Sequence, residues 1–513
     1  MKFIFIPVCP AMLIFPAHAA ETKRPKFLSI ICALCFLCAS SARAAEKPDI
    51  LFIIADDASR HFGKTYGCEW VKTPHLDHLA REGLAFDNFY VPTSKCAPTR
   101  AAILTGRYPW QNGEAANHQN FFPPELRAFS EALHAAGAAS GSTGKVWGPG
   151  TAKTADGGKR DFALTPAKGA GNTPGAKFTA FLKSRPAGAA FFYWHGSSDP
   201  HRVYVAGSGL AAGKKLTDID RVPAYWPDNE IVRSDMLDYA VEVERFDAHV
   251  GELLEALAAS GAAANTLVVV TSDHGMPFPR VKGHTYDDAH RVPLIVRWPA
   301  GLANPGRRAK QLVSAVDFAP TFLELAGVDA AKSGLTMTGR SFAGLLRDHP
   351  VVERPNVLIG RERNDVYARP GSATGLGYPV RGIRADDFLF IRNFAPDRWP
   401  CGDPDLGLAD TDASPTKALI AKPGPGDQFW EHAFGKRPAE QLFNVATDPD
   451  CVVNLAADNA HAATRDRLRA ALMAALDRQR DPRVLGKGEV FDHYPTVKPA
   501  PAGWTGELPK PKP

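Results

Sequence analysis

The residues best suited to chemistry lie in the segment Cys96-Ala97-Pro98-Thr99-Arg100, which continues as Ala-Ala-Ile-Leu-Thr-Gly-Arg107. A proline at the first helical position supplies a preset φ angle and lacks an N–H group that would have no partner there. The segment therefore predicts a helix that begins near Pro98, with Cys96 beside its N-terminus. Free N–H groups and the helix dipole favour an anionic group at this point. Taken alone, the segment also fits a buried cysteine next to a helix cap.

Two pairs of residues with metal-binding side chains, Asp56-Asp57 and Asp273-His274, lie far apart in the sequence. Each pair follows an apolar run, after Ala55 in the first case and after Thr271-Ser272 in the second. Three carboxylates that converge in one place repel each other unless a divalent cation neutralises them. Either pair alone fits a solvated loop edge, but two pairs that both follow buried strands favour a metal site.

Continuous apolar runs at 49–54, 190–194 and 266–270 predict strands that are buried on both faces, as in parallel sheets covered by helices. Helical patterns lie between them, at 74–82 and 229–258. This alternation indicates an α/β fold with a largely parallel sheet. Since ligands in such sheets bind beyond the carboxyl ends of the strands, the polar residues that follow these three runs are predicted to share one edge.

The chain is predicted to have three parts: a signal peptide or leader over 1–45, a catalytic domain over 46–349, and a smaller α+β domain with a Pro-rich tail over 350–513. From about residue 350, short strand-like pieces alternate with turns rich in Pro and Gly, and an amphipathic helix is predicted at 462–478. Two further helices are predicted at 317–326 and 341–347.

The first 45 residues have the layout of a secretory signal peptide, with basic residues before an apolar run and the small-residue site Ala42-Arg43-Ala44. This layout predicts a periplasmic or secreted protein without a stable membrane span, and a membrane anchor is the alternative. The leader holds five of the 60 basic residues and one of the 55 acidic residues, so the rest is nearly neutral and no nucleic-acid partner is expected. A disulfide between Cys401 and Cys451 is compatible with an oxidising compartment, but the sequence alone does not decide whether it forms.

With these motifs, the chain from Pro48 to about Leu345 resembles a type I sulfatase of the alkaline-phosphatase superfamily. In that family the cysteine of Cys-x-Pro-Ser/Thr-Arg is oxidised to formylglycine (3-oxoalanine) by a maturation enzyme, which would be a partner of this protein. The resemblance implies an alkaline-phosphatase-like sandwich, in which a large, mostly parallel central sheet is flanked by helices, and a smaller C-terminal α+β subdomain.

The resemblance also implies a set of metal ligands and a set of catalytic residues. The usual metal is Ca²⁺, one per subunit, although most relatives carry Asn at the position of His274, and imidazole suits transition metals. The implied ligands are Asp56, Asp57, Asp273, His274 and the modified Cys96. The implied catalytic residues are Cys96 as the nucleophile, Arg100 and Lys145 near the sulfate, and His201 and Lys282 near the leaving group. Fixed cations would stabilise the charge that builds on the sulfonyl and leaving-group oxygens.

One position departs from the family pattern. Relatives place a histidine two or three residues after the equivalent of Lys145, and it acts as the base when sulfate is released. This chain has Trp147 and Gly148 there. His118 is a candidate substitute, and loss of the role, with slow or absent turnover, is the alternative.

Segments at 196–202, 275–280 and 390–394 resemble the heparan N-sulfatase branch, which implies a sulfated-sugar substrate such as N-sulfoglucosamine. Arg392, Arg398 and Trp399 would then contact the sugar, or else pack the small domain against the large one. Two other functions stay open. One is a phosphodiester or phosphonate hydrolase, because Asp-His-Gly also occurs in that part of the superfamily. The other is a catalytically silent protein that binds glycans.

Overall fold

The computed structural model describes residues 47–162, 164, 171–502 and 504–506. The predicted leader, including its cleavage site, lies outside the described residues. The strands are β1 (Asp49–Ala55), β2 (Leu84–Tyr90), β3 (Asn120–Phe122), β4 (Ala139–Gly144), β5 (Gly150–Ala152), β6 (Phe191–Gly196), β7 (Thr266–Ser272), β8 (Leu294–Arg297), β9 (Arg307–Ser314), β10 (Val357–Arg361), β11 (Val380–Ala385), β12 (Phe388–Asn393) and β13 (Glu440–Asn444).

The α-helices of the described residues are α1 (Pro74–Arg81), α2 (Cys96–Thr105), α3 (Phe129–Ala135), α4 (Pro174–Ser184), α5 (Ser208–Ala211), α6 (Glu230–Ala259), α7 (Asp287–His290), α8 (Phe318–Leu325), α9 (Ala343–Leu346), α10 (Pro415–Ala421), α11 (Gln428–Ala433), α12 (Ala462–Arg478) and α13 (Val490–His493). None of the helices in the described ranges is long and apolar enough to cross a membrane.

A seven-stranded sheet in the order β4-β6-β1-β7-β8-β2-β9 organises the chain. Strands β4, β6, β1 and β7 are mutually parallel, and β8 is antiparallel to both of its neighbours. The predicted α/β fold with a mostly parallel sheet flanked by helices is therefore confirmed.

Both faces of this sheet are buried, as the apolar runs predict. On β1, Leu51 and Ile53 pack in the core beneath α6, whereas Phe52 faces the opposite core with α8, where its ring lies 5.0 Å from that of Phe318. Alternate residues of one strand thus enter two separate cores. The loops at the carboxyl edge of the sheet therefore leave strands that are packed on both faces.

A second sheet, β10-β11-β12-β13, is antiparallel and packs against α12, the predicted C-terminal helix. Cores on both of its faces contain strand residues such as Ile383 and Leu389. The domain boundary near residue 350 stays a prediction. The disulfide between Cys401 and Cys451 is not formed, because both are buried free thiols and the Cys401 Sγ atom lies 3.0 Å from His284 Nε2 instead.

The small sheet contains a buried ion-pair network centred on Arg381 of β11. Its Nε atom donates to Asp481 at 2.7 Å and its Nη2 atom donates to Glu362 at 2.6 Å, and all three side chains are at most 2% exposed. Arg483 also donates to Glu362, at 2.7 Å.

Replacing Arg381 with methionine is expected to lower the free energy of unfolding by about 3–5 kcal/mol, because Asp481 then becomes a buried carboxylate without its cation. Arg467→Met is the matched control, since Arg467 and its partner Asp386 are both more than half exposed, and it should cost at most about 1 kcal/mol. Urea unfolding of both variants measures the difference. Equal midpoints for the two variants would contradict a stabilising role for the buried network.

Candidate active site

Four parallel strands deliver the predicted site residues other than Cys96 and Arg100, which lie on α2, to one edge of the large sheet. Ala55 pairs with Ser272, so Asp56-Asp57 and Asp273-His274 leave β1 and β7 side by side. On the other side of β1, Gly144 pairs with Gly196, which brings Lys145 next to the loop that carries His201. Gly144 has a φ of 70°, and an added Cβ atom would lie 2.1 Å from the carbonyl oxygen of Gly196. Only glycine allows this close turn into the site.

The helix that carries the candidate nucleophile begins at Cys96 itself, two residues before the proline. Lys95 precedes it in extended backbone, and Pro98 lies in the first turn, where N–H groups have no intrahelical acceptor and a proline therefore costs nothing. Cys96 is only 1% exposed. Burial and Asp56 raise the pKa of its thiol, but Lys145, His274 and Lys282 together lower that pKa well below its usual range. The surroundings of residue 96 thus stabilise negative charge.

The carboxylates and His274 surround Cys96 in the manner of a metal site. Ligand atoms of Asp56, Cys96, Asp273 and His274 all lie within 4.8 Å of one another, and all four residues are buried. His274 Nε2 lies 3.4 Å from Cys96 Sγ and 3.1 Å from Asp57 Oδ1. Asp57 has a φ of 76°, an unusual conformation for a non-glycine residue that is typical of functional sites.

The donor set fits a divalent cation. Oδ1 of Asp56 and Oδ1 of Asp57 are buried, and neither has a hydrogen-bond partner among the described residues. Asp57 Oδ1 lies 3.1 Å from His274 Nε2, and that nitrogen also contacts Cys96 Sγ, so the three atoms are close enough to share an ion. Buried carboxylate oxygens without partners are costly unless a cation compensates them.

Arg100 and Lys145 connect the acidic residues to the nucleophile helix. Arg100 Nε donates to Asp273 Oδ2 at 2.9 Å, and Arg100 Nη1 donates to the carbonyl oxygen of Lys145. Lys145 Nζ donates to Asp56 Oδ2 at 2.7 Å. Burial lowers the pKa of Lys145, but the negative charges of Cys96 and Asp56 outweigh this effect and raise the pKa above its usual value. The ammonium group therefore stays charged.

Lys282 and His201 lie on the other side of Asp57. Lys282 Nζ donates to Asp57 Oδ2 at 2.6 Å, and His201 Nε2 lies 3.8 Å from the same oxygen. Asp57 raises the pKa of His201 despite partial burial, which favours the protonated form that a general acid requires.

These groups open into a cavity of about 750 Å³. Asp56, Cys96, Lys145, His201 and Lys282 line it, whereas Arg100, Asp273 and His274 are fully buried beneath it. The structure therefore brings all nine predicted site residues together, although it does not test their roles.

Sequence reasoning missed several charged residues that also line the cavity. They are Lys95, Glu242, Arg245, Asp365 and Asp412. Lys95 directly precedes Cys96, and this position in the sequence could have identified it as a residue of the site. The others lie on α6 or in loops with no local motif, so only the tertiary fold brings them to the site.

Three residues proposed for the sugar have structural partners instead and do not line this cavity. Arg392 binds Glu440 at 2.8 Å, Arg398 binds Asp492 at 3.2 Å, and the Trp399 ring packs at 5.9 Å from that of Trp430. The three partners all lie in the C-terminal part of the chain, so these contacts stabilise that part and neither engage the cavity nor join the two predicted domains.

Comparison with known proteins identifies the family. The family model described as Sulfatase matches residues 48–328, more than half of the chain. The chain belongs to the sulfatase family. This sulfatase is thus a sulfuric ester hydrolase. The resemblance to the sulfatase family that the sequence motifs indicate is confirmed.

Curated relatives of the enzyme include an ulvan-active sulfatase of Formosa agariphila, 26% identical over 85% of this chain and 78% of that protein. Human N-sulphoglucosamine sulphohydrolase is 27% identical over 83% of this chain and 89% of that protein. A solved structure in complex with its substrate D-glucosamine-2-N,6-O-disulfate shares the fold, with a TM-score of 0.58 and 18% identity over 85% of this chain and 99% of that one.

Proposed function

We propose that this protein is an exported sulfatase that hydrolyses sulfate esters or sulfamates of a sulfated sugar, with N-sulfoglucosamine as the substrate. It would act through formylglycine at position 96 and a divalent metal. The observation that carries the proposal is the buried Cys96, which lies among three carboxylates, an imidazole and several fixed cations at the base of one cavity.

The metal would be held by Asp56, Asp57, Asp273 and His274 together with residue 96. When bound, it would neutralise the carboxylates and lower the pKa of an oxygen nucleophile. Three carboxylates favour Ca²⁺, and His274 favours a transition metal. We propose Ca²⁺ on the count of oxygen donors.

The remaining roles follow from the positions of the cations. Arg100 and Lys145 approach residue 96 from the side of Asp273 and Asp56, where they would stabilise charge on the sulfonyl oxygens. His201 lines the open part of the site and would protonate the departing oxygen or nitrogen, while Lys282 holds Asp57 and supports that transfer.

The relatives named above act, by their names, on ulvan and on N-sulphoglucosamine, and this supports a sulfated sugar as the substrate class. We also propose that the protein is exported by its N-terminal leader and matured by a formylglycine-generating enzyme.

Sulfate release tests the substrate. N-sulfated and 6-O-sulfated glucosamine are incubated with the matured protein, and free sulfate is measured by ion chromatography, with the Cys96→Ala variant as the blank. Release from the N-sulfated sugar is expected. Activity on O-sulfates alone would contradict the sulfamate assignment.

A phosphodiester or phosphonate hydrolase is the second candidate, and the observation that favours it is the imidazole ligand His274 in place of an oxygen donor. A phenyl phosphonate monoester added to the same series distinguishes the two. Turnover of the phosphonate without any sulfate release would replace the proposed function with this one.

A further inference from the structure

His118 is a buried histidine in the wall of the catalytic cavity. It is 6% exposed, and its Nδ1 atom lies 3.1 Å from Asp365 Oδ1. Its backbone N–H donates to the carbonyl oxygen of Arg363 at 3.1 Å, which fixes the chain at this point. The Nε2 atom has no hydrogen-bond partner among the described residues. A buried polar atom without a partner in a catalytic cavity indicates a function.

Asp365 determines which ring nitrogen of His118 carries the proton. Lys95 Nζ donates to Asp365 Oδ2 at 2.7 Å. Burial raises the pKa of Asp365, but Lys95 and His118 lower it well below its usual range, so the carboxyl group is ionised. An ionised carboxylate only accepts hydrogen bonds, so Nδ1 of His118 must be the donor. In the neutral imidazole, Nε2 is then a free proton acceptor.

The other acidic groups that line the cavity are already engaged by cations. Lys145 binds Asp56, and Lys282 binds Asp412 at 2.8 Å. Arg245 lies 3.6 Å from Asp199 and also binds Glu242. A carboxylate held by a cation is a weak base, because proton uptake would break the pair. Among the described residues, two lining histidines have a ring oriented through Nδ1, His118 by Asp365 and His201 by the carbonyl oxygen of Arg202. His201 is assigned to the leaving group, which leaves His118 as the candidate base.

Trp147 explains why a base is needed at a new position. Its indole Nε1 donates to the carbonyl oxygen of Ala97, at 2.9 Å, in the first turn of α2. An indole N–H only donates, so Trp147 positions the nucleophile helix but cannot accept a proton.

We propose that His118, oriented by Asp365, is the base that takes up the proton when sulfate leaves the enzyme. The inference rests on the proposed function. His118 Nε2 takes the proton from a hydroxyl group on Cβ of residue 96, and that O–H electron pair becomes the second bond of a C=O group. The bond between Cβ and the sulfate-bearing oxygen breaks, and sulfate departs with its electron pair. Asp365 is a positioning residue that stabilises the imidazolium.

A burst experiment with nitrophenyl sulfate tests this role, since nitrophenol leaves before sulfate does. His118→Ala is expected to keep a burst of one nitrophenol per active site and to lose steady-state turnover by about 10²–10⁴-fold. The quenched variant should gain the mass of one sulfo group on the peptide that contains residue 96. Added imidazole should restore turnover, which a structural role would not allow.

Two further variants separate chemistry from folding. His118→Gln retains a side-chain amide that is able to donate to Asp365 but cannot take up a proton, and it should behave like His118→Ala. His134→Ala, which changes an exposed histidine on α3, should match the wild type. Wild-type steady-state rates in both His118 variants would overturn the proposal, as would loss of the burst without rescue by imidazole. A wild-type protein that releases neither nitrophenol nor sulfate from the two sulfated glucosamines would instead refute the proposed function.

Discussion

Replacing Cys96 with serine is expected to abolish turnover when the protein is matured under aerobic conditions. Serine carries a single oxygen on Cβ, whereas the hydrated aldehyde of formylglycine has two. A sulfated serine therefore has no second hydroxyl whose proton can be removed to expel sulfate. Removal of a catalytic nucleophile lowers kcat by roughly four orders of magnitude or more. Free sulfate over a long incubation measures the loss.

The matched control for this variant is Cys68→Ser. Cys68 is a buried thiol in the core beneath α6, and burial raises its pKa to about 12, so it is inert. The control should retain the turnover of the wild type, after correction for the amount of folded protein. Wild-type rates in Cys96→Ser would refute covalent participation of residue 96.

Removal of the metal is expected to have the second-largest effect. Without a cation, the Oδ1 atoms of Asp56 and Asp57 stay buried and have no hydrogen-bond partner among the described residues. Several kcal/mol of transition-state stabilisation would be lost, which corresponds to about a 10³-fold decrease in turnover. Dialysis against a chelator, followed by elemental analysis and assay, measures metal content and activity on the same sample.

Restoring single metals to the dialysed protein identifies the ion. We expect one Ca²⁺ per chain to restore activity, and His274→Asn to retain Ca²⁺ while its binding of Mn²⁺ weakens, because an imidazole donor has been removed. Asp466→Asn, which changes an exposed carboxylate on α12, serves as the control with unchanged metal content. Full activity in a chelated sample that contains no metal would contradict the assignment.

The arrangement of the large sheet could be predicted because its strands are buried on both faces. The runs at 49–54 and 266–270 are mostly apolar and are followed by Asp56-Asp57 and Asp273-His274, and parallel strands deliver such ends to one edge. The observed strands Asp49–Ala55 and Thr266–Ser272 extend each run by only one or two residues. The site residues at these strand ends were therefore identifiable from local pattern alone.

Other features depend on tertiary packing that no local pattern encodes. The start of α2 at Cys96 differs from the predicted start because proline is tolerated throughout the first helical turn. Asp365 and Asp412 lie in loops and approach Lys95 and Lys282 only after the chain is folded. The sequence allows a disulfide between Cys401 and Cys451, but in the structure the thiol of Cys401 contacts His284 instead.

The central claim is that residue 96 is a modified nucleophile, and the mass of the peptide that contains it is the most direct test. The protein is purified from its native host, digested, and analysed by mass spectrometry, with the Cys68 peptide as an internal reference for an unmodified cysteine. The account predicts the mass of formylglycine at position 96 and an unchanged thiol at position 68. An unmodified thiol at position 96 in active protein would contradict it.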